Sequence, residues 1–161
     1  MNPTTPYEAL RGSRLAAELS DEQCRTLAAL VTLRDLADGE VLVREGTANT
    51  QLYVLLGGSL AVARAAGTAE EVSLFLLSPG DFIGELSFLD DNVHYASTVS
   101  RGASRVFGLE RRQLESLLDT APHIVYRVMR AIVRRVHQNQ HRLSAQLGEL
   151  TNYIYKQHGR Y

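Results

Sequence analysis

Gly84-Glu85-Leu86-Ser87 is the stretch whose residue types and spacing could do chemistry. It lies within Pro79 to Val99, which reads P-G-D-F-I-G-E-L-S-F-L-D-D-N-V-H-Y-A-S-T-V. A Pro-Gly turn opens the run. Gly84 can adopt a positive φ and let the backbone approach a ligand closely. A short helix beginning at Glu85 would add its dipole toward an anion. A polar loop, Asp90 to His94, leads through Tyr95 into the alternating pattern Ala96 to Val99. These residues alone describe either an anion cradle or an ordinary glycine turn.

The run P-G-D-F-I-G-E-L-S-F-L-D resembles the phosphate-binding cassette of cyclic-nucleotide-binding domains, the sensor halves of the Crp/Fnr-like catabolite activator protein family. The run from Leu36 to Arg64, L-A-D-G-E-V-L-V-R-E-G-T-A-N-T-Q-L-Y-V-L-L-G-G-S-L-A-V-A-R, is similar to the same family, and the resemblance spans roughly residues 15 to 148. It implies a mainly β fold with flanking helices: an antiparallel, jelly-roll-like β-roll followed by a long C-terminal dimerisation helix. It also implies that the cassette Glu takes the ribose hydroxyl, and that an Arg about ten residues later neutralises the cyclic phosphate. Glu85 is present here and that Arg is absent. His94 falls at its position in the ungapped match, with Tyr95 and Ala96 after it; a one-residue shift puts Tyr95 there instead. Neither side chain is a permanent cation, and neither offers a guanidinium fork. Losing a charge-assisted contact to a buried phosphate costs on the order of 2–5 kcal/mol, roughly 30- to several-thousand-fold in affinity. The resemblance therefore implies a regulatory sensor with a degenerate cassette. Its candidate ligands are cAMP, cGMP or a cyclic dinucleotide, whose second phosphate would want Arg101 or Arg105.

These residues need elements to position them. Residues 7 to 35 carry helical spacing, with Leu15 and Leu19 four apart and Ser20 with Gln23 forming a capping box. Residues 31 to 109 read as strands, with apolar runs about ten residues apart punctuated by glycine turns. Val72, Leu74 and Leu76 alternate with Glu71, Ser73 and Phe75, as in a half-buried strand. Residues 110 to 118 suggest a short helix with Leu114, Leu117 and Leu118 on its apolar face. Thr120 is the candidate N-cap of a long helix over about 122–148, with Pro122 in its first turn.

Along that helix Val125, Met129, Ile132, Val136, Asn139, Leu143, Gln146 and Leu150 are spaced 4-3-4-3-4-3-4, a coiled-coil seam that predicts a parallel homodimer. A paired Asn139 would fix register. Alternatively, Asn139 and Gln140 would offer hydrogen bonds to a base edge, since the resemblance places the purine at this level of the helix. Five arginines (Arg127, Arg130, Arg134, Arg135, Arg142) and no acids lie between Ala121 and Gly148. They make either a solvated face or a docking strip for an acidic partner or nucleic acid. His137 and His141 are one helical turn apart, with no third ligand evident, so no metal site is assigned.

The 161 residues suit one domain, 1–148, with a short Tyr-containing tail, 149–161. A net charge of −1 gives no global nucleic-acid or membrane footprint. The single cysteine, Cys24, excludes an intrachain disulfide framework and a cysteine-ligated iron–sulfur cluster, and reads as a small buried apolar residue. No signal peptide or membrane-spanning run is present, so a cytoplasmic protein is expected. The eleven residues from Thr151 are too few for the helix-turn-helix of the family's transcription factors, so no DNA-binding domain is expected. No nucleophile–base arrangement or zinc signature is evident. Three readings follow: a dimeric sensor that signals to an unknown protein partner, a ligand-free interaction module with a vestigial pocket, or a cupin-like enzyme. The last would need clustered histidines, and His94 alone lies near a strand.

Overall fold

A computed structural model describes residues 5–158. Two capped helices open the chain: α1 (Pro6–Arg11) and α2 (Asp21–Ala28), with a 3-10 turn, Arg14–Ala16, between them. Ser20 and Gln23 form the expected capping box, and Thr5 with Glu8 form another. Residues 31–35, which fit either period, are strand: β1 is Val31–Leu36. Then come β2 (Val41–Val43), β3 (Gln51–Gly57), β4 (Leu60–Arg64), β5 (Val72–Leu77), β6 (Phe82–Ile83), α3 (Glu85–Asp90), β7 (Ser97–Ser100), β8 (Ser104–Glu110), α4 (Arg111–Glu115) and α5 (Pro122–His158).

The strands form two antiparallel four-stranded sheets, ordered β1-β8-β3-β6 and β2-β7-β4-β5. Leu36, Leu42, Leu55, Leu60, Ile83 and Val106 fill the space between the sheets. The other face of the first sheet, through Val31, Leu52, Val54, Phe107 and Leu109, packs on Leu10, Leu27, Leu114 and the start of α5. A sheet covered on both sides has continuous apolar strands rather than alternating ones, which is the composition of β3 and β8. Gly58, at φ +85°, turns β3 into β4; a methyl group there would lie 2.4 Å from Ser104 Oγ and 2.6 Å from the Ala103 carbonyl.

The structure corrects several expectations. β5 is the outer strand of its sheet, and Val72, Leu74, Phe75 and Leu76 are all exposed instead of alternating. Leu118 is exposed, beyond the end of α4. Pro122 is the first residue of α5, so Ala121, not Thr120, immediately precedes it. The helix expected over about 122–148 runs on to His158. Tyr161, in the expected tail, lies outside the described residues.

The row of residues expected to form a seam on α5 is split by the chain's own core, and the outward-facing row is shifted in register. Val125 and Ile132 are buried in the chain's own core beside Ile124 and Val128. Asn139, the next in that row, is half-buried. A second row on the helix, Tyr126, Met129, Val133, Val136, Gln140, Leu143, Leu147 and Leu150, is spaced 3-4-3-4-3-4-3. Tyr126, Val133, Leu147 and Leu150 are exposed, and Met129 and Val136 are half-buried. The Leu143 side chain lies outside the described ones. A hollow of about 560 Å3 follows this stripe between Tyr126 and His137.

Four of the five arginines expected on this strip are neither free nor merely solvated, and the Arg142 side chain lies outside the described ones. Arg127 donates to the Glu18 carbonyl at 2.9 Å and to Gln23 Oε1 at 2.7 Å, and Arg130 and Arg134 pair with the Glu18 carboxylate. Arg135 pairs with Asp81. These four tie the helix to the body of the domain.

Candidate functional site

β6 delivers the chain to Gly84, whose φ of 80° starts α3. A methyl group at Gly84 would lie 2.9 Å from the Gln51 carbonyl and 3.5 Å from His94 Cε1. The position therefore needs glycine twice over, for its left-handed backbone and for its contact with β3. Phe88 anchors α3 in the core, and its N–H donates to the Gly84 carbonyl at 2.9 Å. Leu86 is exposed and Ala96 is buried.

Ser87 has a structural task. Its hydroxyl donates to the Asn49 carbonyl at 2.8 Å and accepts from the Asn49 N–H at 3.1 Å. The proton and one lone pair of the buried hydroxyl are spent on the β2–β3 loop. Asn49 was not evident from the sequence; it sits in a loop, and its partner lies 38 residues away.

Glu85, His94 and Tyr95 do gather beside Gly84. Burial pushes the Glu85 carboxyl above its usual range, its own amide and the Arg135 charge oppose that rise, and Asp81 adds to it. His94 is pinned by its backbone: its N–H donates to the Thr47 carbonyl at 2.8 Å, and its carbonyl accepts from the Gly46 N–H at 2.8 Å. Burial pulls its imidazole below the ordinary histidine value, so the ring is neutral at pH 7. Its Nε2 is buried and has no hydrogen-bond partner. Tyr95 is 60% exposed, and its hydroxyl is pushed up by desolvation and by the Glu85 carboxylate. Tyr95 therefore stands at the rim beside Glu85 rather than filling a cavity.

The cassette is held at both ends by arginines from outside it. Arg111 donates to the Phe88 carbonyl at 3.3 Å and to Asp91 at 2.6 Å, at the C-terminus of α3. Arg135 of α5 grips Asp81 in the Pro-Gly-Asp turn. A hollow of about 460 Å3 lies beside α3, between Phe88, Leu114, Val125 and Met129. Neither this hollow nor the one along α5 includes Glu85 or His94.

Other sequence candidates lie elsewhere. Arg101 pairs with Glu71, and Arg105 forms a two-point contact with Asp35 at 2.5 and 2.9 Å. Neither is free for a second phosphate. Gln140 is exposed on the outer stripe of α5. His137 and His141 face each other, Nε2 to Nε2 at 2.9 Å. Among the described residues no group of three or more His, Cys, Asp or Glu could hold a metal, and no helix is long and apolar enough to cross a membrane.

A β-roll with a glycine-elbowed cassette, set against a long C-terminal helix, defines a cyclic-nucleotide-binding fold. The model of the cyclic nucleotide-binding domain matches residues 33–121, and the chain belongs to that family. It is 26% identical over 110 residues to the CRP-like cAMP-activated global transcriptional regulator of Mycobacterium tuberculosis, covering 68% of this chain and 49% of that one. The chain thus spans about half the length of this curated relative. It is 30% identical to the N-terminal domain of a transcriptional regulator from Streptomyces coelicolor, with a TM-score of 0.68 over 81% of this chain and 94% of the other. A cyclic nucleotide-binding domain from Methylobacillus flagellatus shares the fold, with a TM-score of 0.72 and 20% identity over 94% of this chain and 83% of the other.

Proposed function

We propose that this chain is a non-enzymatic regulatory sensor whose cassette takes a cyclic nucleotide weakly, and that it acts as a homodimer through α5 on a protein partner. The observation that carries the reading is His94. Its imidazole lies beside Gly84, at the sequence position that the ungapped match gives to the family's arginine, and its buried Nε2 lacks a partner. A buried polar nitrogen left unsatisfied costs about 1–3 kcal/mol, and a ligand acceptor would recover that cost. Glu85 stands ready for a hydroxyl, and Tyr95 flanks it. Homology to a regulator named as cAMP-activated supports the ligand class. The exposed Tyr126, Val133, Leu147 and Leu150, which fall on one heptad-spaced row, support the dimer.

Calorimetric titration with cAMP, cGMP and cyclic di-GMP tests the reading, on the wild type and on His94→Arg. The expected result is weak binding of a mononucleotide by the wild type, tightened at least tenfold by the arginine. Absence of binding by both proteins would defeat the sensor reading. The ligand-free interaction module would then stand.

A further inference from the structure

Among the described residues two buried side-chain nitrogens lack a hydrogen-bond partner: His94 Nε2 and Arg135 Nε. Buried polar atoms are rarely left so, and each calls for an explanation. That both belong to residues touching the cassette is the starting point. His94 comes from the loop before β7, and Arg135 comes from α5, 41 positions later in the chain. Arg135 is only 14% exposed. Its one described hydrogen bond goes to Asp81, the acid of the turn that leads into Gly84. A guanidinium carries five N–H donors, so most of its capacity is unspent.

Four other arginines near this region or on its helix are committed elsewhere. Arg111 caps the far end of α3. Arg127, Arg130 and Arg134 are bound around Glu18. Arg135 is also close enough to Glu85 to act on its carboxyl. It therefore brings a permanent charge and a planar fork to a cassette whose own loop has only a neutral imidazole.

Building on the sensor reading above, we propose that Arg135 is the phosphate-neutralising cation of this site, and that a bound cyclic phosphate takes its guanidinium from Asp81. In the ligand-free chain Asp81 occupies the arginine as an internal anion. A phosphodiester monoanion offers two acceptor oxygens in the geometry the fork suits. Exchange of partners would then release α5 from the Pro-Gly-Asp turn, so that occupancy of the cassette changes how the long helix is held. Self-competition by Asp81 lowers the apparent affinity by the fraction of molecules in which the latch is closed.

The test is cAMP titration by calorimetry on wild type, Asp81→Asn, Arg135→Gln and Arg135→Lys, with thermal melts to verify folding. If the ion pair were only structural, Asp81→Asn and Arg135→Gln would weaken folding alike and change affinity in the same direction. The proposal expects opposite directions. Asp81→Asn should bind at least tenfold tighter, Arg135→Gln at least tenfold weaker, and Arg135→Lys in between, since charge remains and the fork is lost. Should Arg135→Gln fail to fold, the contrast between Asp81→Asn and Arg135→Lys carries the test. Wild-type binding with equal affinity in the variants overturns the role of Arg135 and leaves the sensor reading intact. Binding by Asp81→Asn alone supports the latch. No binding by the wild type, Asp81→Asn or His94→Arg overturns both.

Discussion

Ile132 and Val133 are neighbours on α5 with opposite surroundings, and substituting them separates the two heptad registers. Ile132 is 0% exposed, in a cluster with Ile124, Val125 and Val128, whereas Val133 is 55% exposed. Truncating a buried isoleucine to alanine costs about 2–5 kcal/mol through lost transfer energy and the cavity left behind. With a urea slope of about 1–3 kcal/mol per molar for a small domain, Ile132→Ala should lower the unfolding midpoint by about 1–2 M. A surface change usually stays within about 0.5 kcal/mol, so Val133→Asp should barely alter the folded protomer. In a dimer joined along the exposed stripe, however, that aspartate would be buried and unpaired, and association should fail. Sedimentation velocity over a concentration series reads the association, and urea unfolding of dilute protein reads the protomer. The expected pattern is a folded monomer for Val133→Asp and a destabilised dimer for Ile132→Ala. If Val133→Asp stays dimeric while an Ile132 variant becomes a folded monomer, the seam follows Val125, Ile132 and Asn139, and the re-registration is wrong.

Three further outcomes follow from the cassette. Gly84→Ala should abolish the elbow, because the methyl meets the Gln51 carbonyl at 2.9 Å at a φ of 80°; a thermal melt should fall by several degrees, and an unchanged melt would contradict the geometry. Ser87→Ala leaves the half-buried Asn49 N–H and carbonyl each short of a hydrogen bond of 3.1 and 2.8 Å, at a cost of about 1–3 kcal/mol, measurable as an unfolding midpoint. Glu85 has a raised carboxyl pKa in the fold, so its favourable contribution exists below the unfolded value of about 4.5 and is lost as pH rises through the folded one. Glu85→Gln should therefore melt higher than the wild type at pH 7, with the gap closing near pH 4; a lower melt at pH 7 would show that the charge is better compensated than its burial implies.

The cassette, the glycine-punctuated strands of a roll and the presence of a long terminal helix were legible in the sequence because each rests on short-range signals. Pro79-Gly80 and Gly84 mark turns, strand alternation has a period of two, and Ser20 with Gln23 announces a helix start. That no arginine stands between Asp90 and Ser100 was equally plain, since an absence at a fixed spacing needs no tertiary information. What α5 does with its faces was not legible. The rows through Val125 and through Tyr126 both repeat at heptad spacing and differ by one position, about 100° around the helix. Only the core formed by Leu10, Leu15, Leu27 and Phe107 decides which row turns inward. The same holds for the arginines: their partners, Glu18 and Asp81, are more than fifty residues away in the chain, and no local pattern announces them. β5 is the reverse case. Its alternation was genuine, but burial of an alternating face depends on what the fold lays against it, and the outer edge of the second sheet leaves Val72, Leu74 and Leu76 exposed.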